Sequence, residues 1–285
     1  MALSKSTTKL TVHRGFDWPG RYTWSPFVTK LEVRLRFAGL PYVVGNGGPR
    51  SAPQGKIPYV DMPGEEQQLG DSTLIIRHLV EKDMLPDLNA GLDKTQQAQD
   101  LAWRALMEDK LYFYGLRERW LDNYVTMRST VMASIPYPIQ VLVGLLAYRK
   151  ATTSLNAQGT GLLTREQFTA HQAECWAALD AQVAAARQQS NAASRPDEPF
   201  WLLGGDQPTE ADASLMAFVV TTLFCTALYA GCVMDANWIA VENRAPVAGK
   251  LIRSHSALLD YCNRIHNRYF TDYERWEDEV RKVEG

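Results

Sequence analysis

Apolar residues recur at Phe27, Leu31 and Leu35, an i, i+4, i+8 stripe that predicts an amphipathic helix over Pro26 to Ala38, with Gly39 as its C-terminal stop. Short β-prone runs flank it, Leu10 to His13 before and Tyr42 to Val44 after. Ile57 to Asp61 and Gln67 to Leu69 read as two further strands joined by the turn signal Pro63-Gly64, and Asp71 opens a helix through Leu74, Ile75, Leu79 and Val80. The order is therefore β-α-β, a loop, a β-hairpin and a helix. Beyond Met84 to Gly91 helical periodicity takes over. Asp93 to about Val131 predicts one or two helices ended by Pro136 and Pro138, and Ile139 to Leu155 another. Arg165 to Gln189 carries Trp176, Leu179, Val183 and Ala186 at helical spacing, and Gln188 to Pro199 is a polar surface loop. Glu210 to about Met234 and Pro246 to Asn267 complete the helical part, with no internal repeat.

This order predicts a thioredoxin-like domain over 1–84, a four-stranded mixed sheet with helices, followed by an all-α domain over 93–285. Residues 213–234 carry no charge and are long enough to cross a bilayer, for which about 20 apolar residues suffice. Ser214, Thr221, Thr222, Thr226 and Gly231 dilute that stretch, so it reads as a helix buried on all sides rather than a membrane span. Thirty Lys and Arg against 32 Asp and Glu give a net charge of −2, which supplies no basic field for nucleic acid or an anionic membrane. The partner expected is a small molecule or another protein. Met1 to Lys9 lacks the apolar stretch of a signal peptide, and the four cysteines, Cys175, Cys225, Cys232 and Cys262, show no CxxC spacing; both point to the cytoplasm. The five histidines show no paired metal-ligand spacing, so no metal is expected.

Two short motifs carry chemistry. In a thioredoxin-like sheet the proline before the third strand is usually cis, which turns the backbone of the preceding residue toward an extended peptide; Ile57-Pro58 holds that place. Asp71-Ser72 stands where a strand runs into a helix. The Ser hydroxyl and first-turn N–H groups there suit a carboxylate, and the adjacent acid suits an α-amino group. Together they describe a pocket for a γ-glutamyl peptide, glutathione, with Arg21 or Lys56 placed for its glycyl carboxylate. Asp-Ser alone reads better as an ordinary N-cap. Thr209-Glu-Ala-Asp212 is a capping box with no catalytic part.

Ser25 to Tyr42, Gly55 to Val60 and Gly70 to Ile75 resemble the glutathione transferase superfamily, specifically its failed-axon-connections and metaxin-like branch. Leu106 to Phe113 with Arg119-Trp120, Leu203 to Asp212 and Tyr261 to Phe270 look like the helical domain of that branch. The resemblance implies that Ser25, at the head of the first helix, addresses the glutathione sulfur and stabilises its thiolate, for addition to an electrophile or for isomerisation or elimination on it with glutathione as a recycled cofactor. A serine there cannot run disulfide exchange, and Ser followed by Pro is also a common way to begin any helix. Tyr22, Trp24, Tyr112 and Arg117, with Trp18, Tyr114 and Trp120, are the candidate walls of a second pocket for an apolar or aromatic electrophile. The resemblance further implies a homodimer. The alternative it implies is a non-catalytic, metaxin-type interaction or import scaffold that keeps the fold.

Overall fold

A computed structural model describes residues 9–15, 19–133, 135–190, 195, 197–231 and 247–276, the side chains of 130 and 226–231 excepted. Four short strands, β1 (Thr11–His13), β2 (Val43–Gly45), β3 (Tyr59–Asp61) and β4 (Leu69–Gly70), form one mixed sheet in the order β2-β1-β3-β4. β1 runs parallel to β2 and antiparallel to β3, which is itself antiparallel to β4. Helices α1 (Pro26–Phe37) and α2 (Ser72–Glu81) pack on one sheet face through Val12, Leu31, Leu35, Val60, Ile75 and Leu79. The N-terminal part is thus the expected thioredoxin-like domain, and the remainder is mostly helical.

The remainder begins with α3 (Lys94–Ala105), which runs into a π-helical stretch at Leu106–Leu111, then α4 (Tyr112–Arg117) and a second π-helical stretch at Glu118–Asp122. A capping box between Asp93 and Gln96 starts it. After α5 (Tyr124–Val131) come α6 (Tyr137–Gln158), α7 (Arg165–Gln189), α8 (Glu210–Gly231), α9 (Val247–Ser254) and α10 (Ser256–Tyr269). The second core gathers Leu111, Trp176, Leu179, Leu215, Val219, Leu258 and Ile265 around α8.

The uncharged run behaves as expected as far as its side chains are described: Ala213 to Ala217 and Val219 to Val220 are buried throughout, and no helix among the described residues is long and apolar enough to cross a membrane. Residues 232–234 of the run, with Cys232, lie outside the described residues, as does Trp18. The start of α8 departs from the simple capping box. Asp212 reaches back to the Thr209 amide at 2.7 Å, but the Thr209 hydroxyl donates to Asp212 (2.9 Å) instead of capping an amide. The Leu202 amide and the Tyr261 hydroxyl complete the shell of that buried carboxylate, each at 2.7 Å.

Helix α1 also differs from the amphipathic stripe. Nine of its twelve residues are buried, because the sheet covers one side and α8 the other. Its polar residues therefore need partners, since an isolated buried charge is costly. Lys30 meets Glu108 at 2.7 Å, Arg34 meets Glu210 at 2.7 Å, Glu32 meets Arg14 at 3.4 Å, and Thr29 meets Thr221 at 3.2 Å.

Candidate functional site

Ser25 is the N-cap of α1, in extended backbone, with Pro26 at the first helical position. Its Oγ accepts from the Val28 amide at a long 3.4 Å, and among the described residues its own proton has no acceptor. The side chain is half-buried and beside a helix N-terminus, where the amide dipoles favour negative charge. Thr23 braces it, donating to the Ser25 carbonyl and accepting from the Ser25 amide.

Asp71 is the second feature. It is a non-glycine residue with φ 74° and ψ 119°, a backbone strain of order 1–3 kcal/mol of the kind that collects at ligand clamps. Its Oδ1 accepts from the amides of Thr73 (2.9 Å) and Leu74 (3.2 Å), which caps α2, and Ser72 beside it is buried. The Ile57–Pro58 peptide is cis. Ile57 packs over Gly15, whose φ of 80° and lack of a Cβ give it room; a Cβ there would lie 2.8 Å from Ile57 Cδ1. Lys56 is exposed, with no carboxylate partner among the described residues. Arg21 is paired with Glu274 at 3.1 Å.

Between α1 and the helical part lies a cavity of about 30 Å³, lined by Pro26, Tyr112, Glu118, Arg119, Phe218 and Cys225 among others. Both π-helical stretches border it, a departure from α-geometry frequent at functional sites. Phe27, Tyr112 and Phe218 make an aromatic wall, with ring centroids 5.1 and 5.9 Å from Phe27. Glu118 is buried with its Oε1 accepting from the Ala248 amide at 3.1 Å; burial dominates over these amides and pushes its carboxyl up to about 7. Burial likewise raises the Cys225 thiol, opposed by the neighbouring Arg119 guanidinium.

Of the seven residues expected to wall the second pocket, Trp18 lies outside the described residues and only Tyr112 of the other six lines this cavity. Tyr22 is core: it is 1 % exposed, its hydroxyl bonds His266 Nδ1 at 2.8 Å, and Phe270, Tyr273 and Trp276 surround the ring. Trp24 is buried against Met127 and Cys225, edge-on to Phe224. Arg117 is turned away, donating to the carbonyls of Thr160 (2.8 Å) and Leu163 (3.0 Å) over the face of Phe168. Two positions on, Arg119 faces the cavity instead, because residues two apart on a helix point to opposite sides. Tyr114 also packs on Phe168, away from the site.

Sequence reasoning missed Arg119 and the Lys30 cluster. Buried Lys30 Nζ donates to Thr73 Oγ1 (3.1 Å) and Glu108 Oε1 (2.7 Å), and Ser214 Oγ donates to the same Glu108 oxygen (2.6 Å). Lys30 lies off the apolar stripe of α1, so its spacing signalled solvent. No cluster of potential metal ligands occurs among the described residues.

A thioredoxin-like sheet followed by a helical remainder, with α1 shared between their cores, defines the class. The glutathione S-transferase N-terminal domain family matches residues 26–125. The chain is 27% identical over 253 residues to the isoprene-epoxide glutathione S-transferase of Rhodococcus sp. (strain AD45), covering 86% of this chain and 92% of that one. It is 24% identical over 226 residues to mouse metaxin-2, covering 78% and 73%. Glutaredoxin 2 of Salmonella typhimurium, solved with glutathione, shares the fold at a TM-score of 0.51 and 11% identity over 96% of this chain and 100% of that one. The chain thus carries a glutathione S-transferase N-terminal domain match, and the proteins it is similar to include both a glutathione S-transferase and metaxin-2.

Proposed function

We propose that this protein is a serine-type glutathione transferase, activating the glutathione thiolate for addition to an apolar or aromatic electrophile. The observation that carries it is Asp71, held at φ 74° ahead of the buried Ser72 at the head of α2. A pure scaffold has no need of backbone strain at that point. In this reading the head of α2 and Ser72 take the γ-glutamyl carboxylate, Asp71 its ammonium, the Ile57 backbone ahead of Pro58 the peptide, and Lys56 the glycyl carboxylate. Ser25 donates to the sulfur with the proton that no group among the described residues claims. Tyr112 belongs to the electrophile wall. The relative named for isoprene epoxide supports conjugation over a scaffold role.

The proposal includes a thioredoxin-like domain over 1–84, a helical one over 93–285, and a homodimer. Calorimetric titration with glutathione tests it: saturable binding is expected, and the Ser25→Ala variant is expected to bind glutathione while raising the pKa of its thiol, read by thiolate absorbance. No binding at millimolar glutathione favours the second reading, an interaction scaffold. The likeness to metaxin-2 supports that second reading.

A further inference from the structure

The geometry points to Arg119 as a catalytic residue, the cation that receives the negative charge developing on an oxygen of the second substrate. This rests on the glutathione transferase reading. It narrows the electrophile to small molecules whose bond-breaking leaves charge on oxygen, epoxides foremost.

Three observations carry it. First, Arg119 lines the cavity beside the head of α1 and is tied to it: Nη1 donates to the carbonyl of Trp24, the residue before Ser25, at 2.5 Å, while Nε donates to Gly115 O at 3.0 Å. These anchors hold the guanidinium plane in one orientation, the preorganisation an oxyanion site requires. Second, Arg119 has no carboxylate partner among the described residues, whereas the other cations half-buried or more around α1, Arg14, Lys30, Arg34 and Arg36, all have one. The nearest acid in sequence, Glu118, spends its carboxyl on the amides of Val247 and Ala248. Gly115 O, Trp24 O and Cys225 take one donor each of the five a guanidinium carries, so the rest remain for a ligand. Third, the cavity's free space of about 30 Å³ holds only a few water-sized atoms, and Tyr112 and Phe218 line it with Arg119. That combination suits a compact apolar skeleton with one oxygen directed at the cation.

In the step itself the thiolate attacks a ring carbon, the S–C bond forms and the C–O bond breaks. The electron pair goes to oxygen beside Arg119. The alkoxide then takes a proton from water, replacing the one the thiol released on ionising, so that glutathione and epoxide add with nothing lost. Arg119 stabilises the alkoxide in the transition state by donating hydrogen bonds to it.

The test compares a four- or five-carbon epoxide with an alkyl iodide of the same size, whose charge leaves on iodide. For Arg119→Gln the ratio of epoxide to iodide kcat is expected to fall about 100-fold, as for loss of one oxyanion donor. The glutathione Kd and the pKa of bound thiol are expected to stay unchanged. Arg119→Lys, which keeps the charge and guards against a folding defect in the first variant, is expected to recover part of the ratio. An unchanged ratio, a raised thiol pKa, or a wild type that turns over the iodide but not the epoxide overturns the assignment while glutathione binding stands. A wild type that binds no glutathione overturns the underlying reading and this one with it.

Discussion

Glu118 is 5 % exposed and touches the cavity on one side and the start of α9 on the other. Burial raises its pKa from 4.5 to about 7, the amides of Ala248 and Val247 recovering only part of the desolvation cost. The folded state thus binds this proton more tightly than the unfolded chain does. The penalty is absent below about pH 4.5, grows as pH rises, and is complete above about 7, where it is on the order of 3 kcal/mol. Glu118→Gln keeps an oxygen for the Ala248 amide and loses the titration. The variant is therefore expected to melt higher than the wild type at pH 8 and nearly equal to it at pH 5, by calorimetric scans at the two values. Nothing in the order of residues around Glu118 signalled this, since a charged residue next to Arg119 on a helix reads as a solvated pair. Asp71 and Ser72 were legible because strand end, acid and small hydroxyl stand adjacent in the chain.

Helix α1 shows where periodicity stops being a guide. Its apolar stripe located the helix and Ser25-Pro26 located its start. Periodicity left the polar side to solvent, where the fold instead places α8. The consequence is a set of buried ion pairs between the sheet domain and the helices, of which Lys30 with Glu108 is nearest the head of α2. Glu108→Ala leaves Lys30 buried without a countercharge and is expected to cost about 3 kcal/mol, while Lys30→Met combined with Glu108→Leu costs less than the single change. Urea titrations of the two variants measure the difference. The π-helical stretches are the other element-scale surprise: Leu106 to Asp122 was readable as helix, but not the extra residues per turn that bring Glu118 and Arg119 to the cavity.

Across the whole molecule, α6 carries Ile139, Leu142 and Leu146 along one side at 54 to 60 % exposure, with Val125 of α5 nearby in sequence at 48 %. A row of this kind on a chain with net charge near zero favours self-association. The homodimer of the proposed function is expected to use it. Sedimentation equilibrium is expected to show twice the chain mass for the wild type and a single chain for Leu142→Glu combined with Leu146→Glu; equal masses for both leave α6 outside any dimer.

What the chain determined by itself was local: the kind and order of most elements to within a few residues, though Pro246 to Asn267 reads as one helix and folds as α9 and α10, the change from alternating to helical periodicity near residues 84–93, the caps at Ser25 and Asp71, and the cis-proline position at Pro58. These depend on neighbours a few residues apart, whose backbone preferences and spacing are written in order. Which side chains meet across the cleft was decided only by the tertiary structure. Tyr22 became core, Arg117 a brace for the 160–163 turn and Arg119 a cavity wall because packing α1 between the sheet and α8 sets directions that no local pattern encodes. Burial of charge followed the same rule: Lys30, Glu32 and Arg34 are polar by sequence and interior by fold, and only the fold supplies the partners that make their burial tolerable.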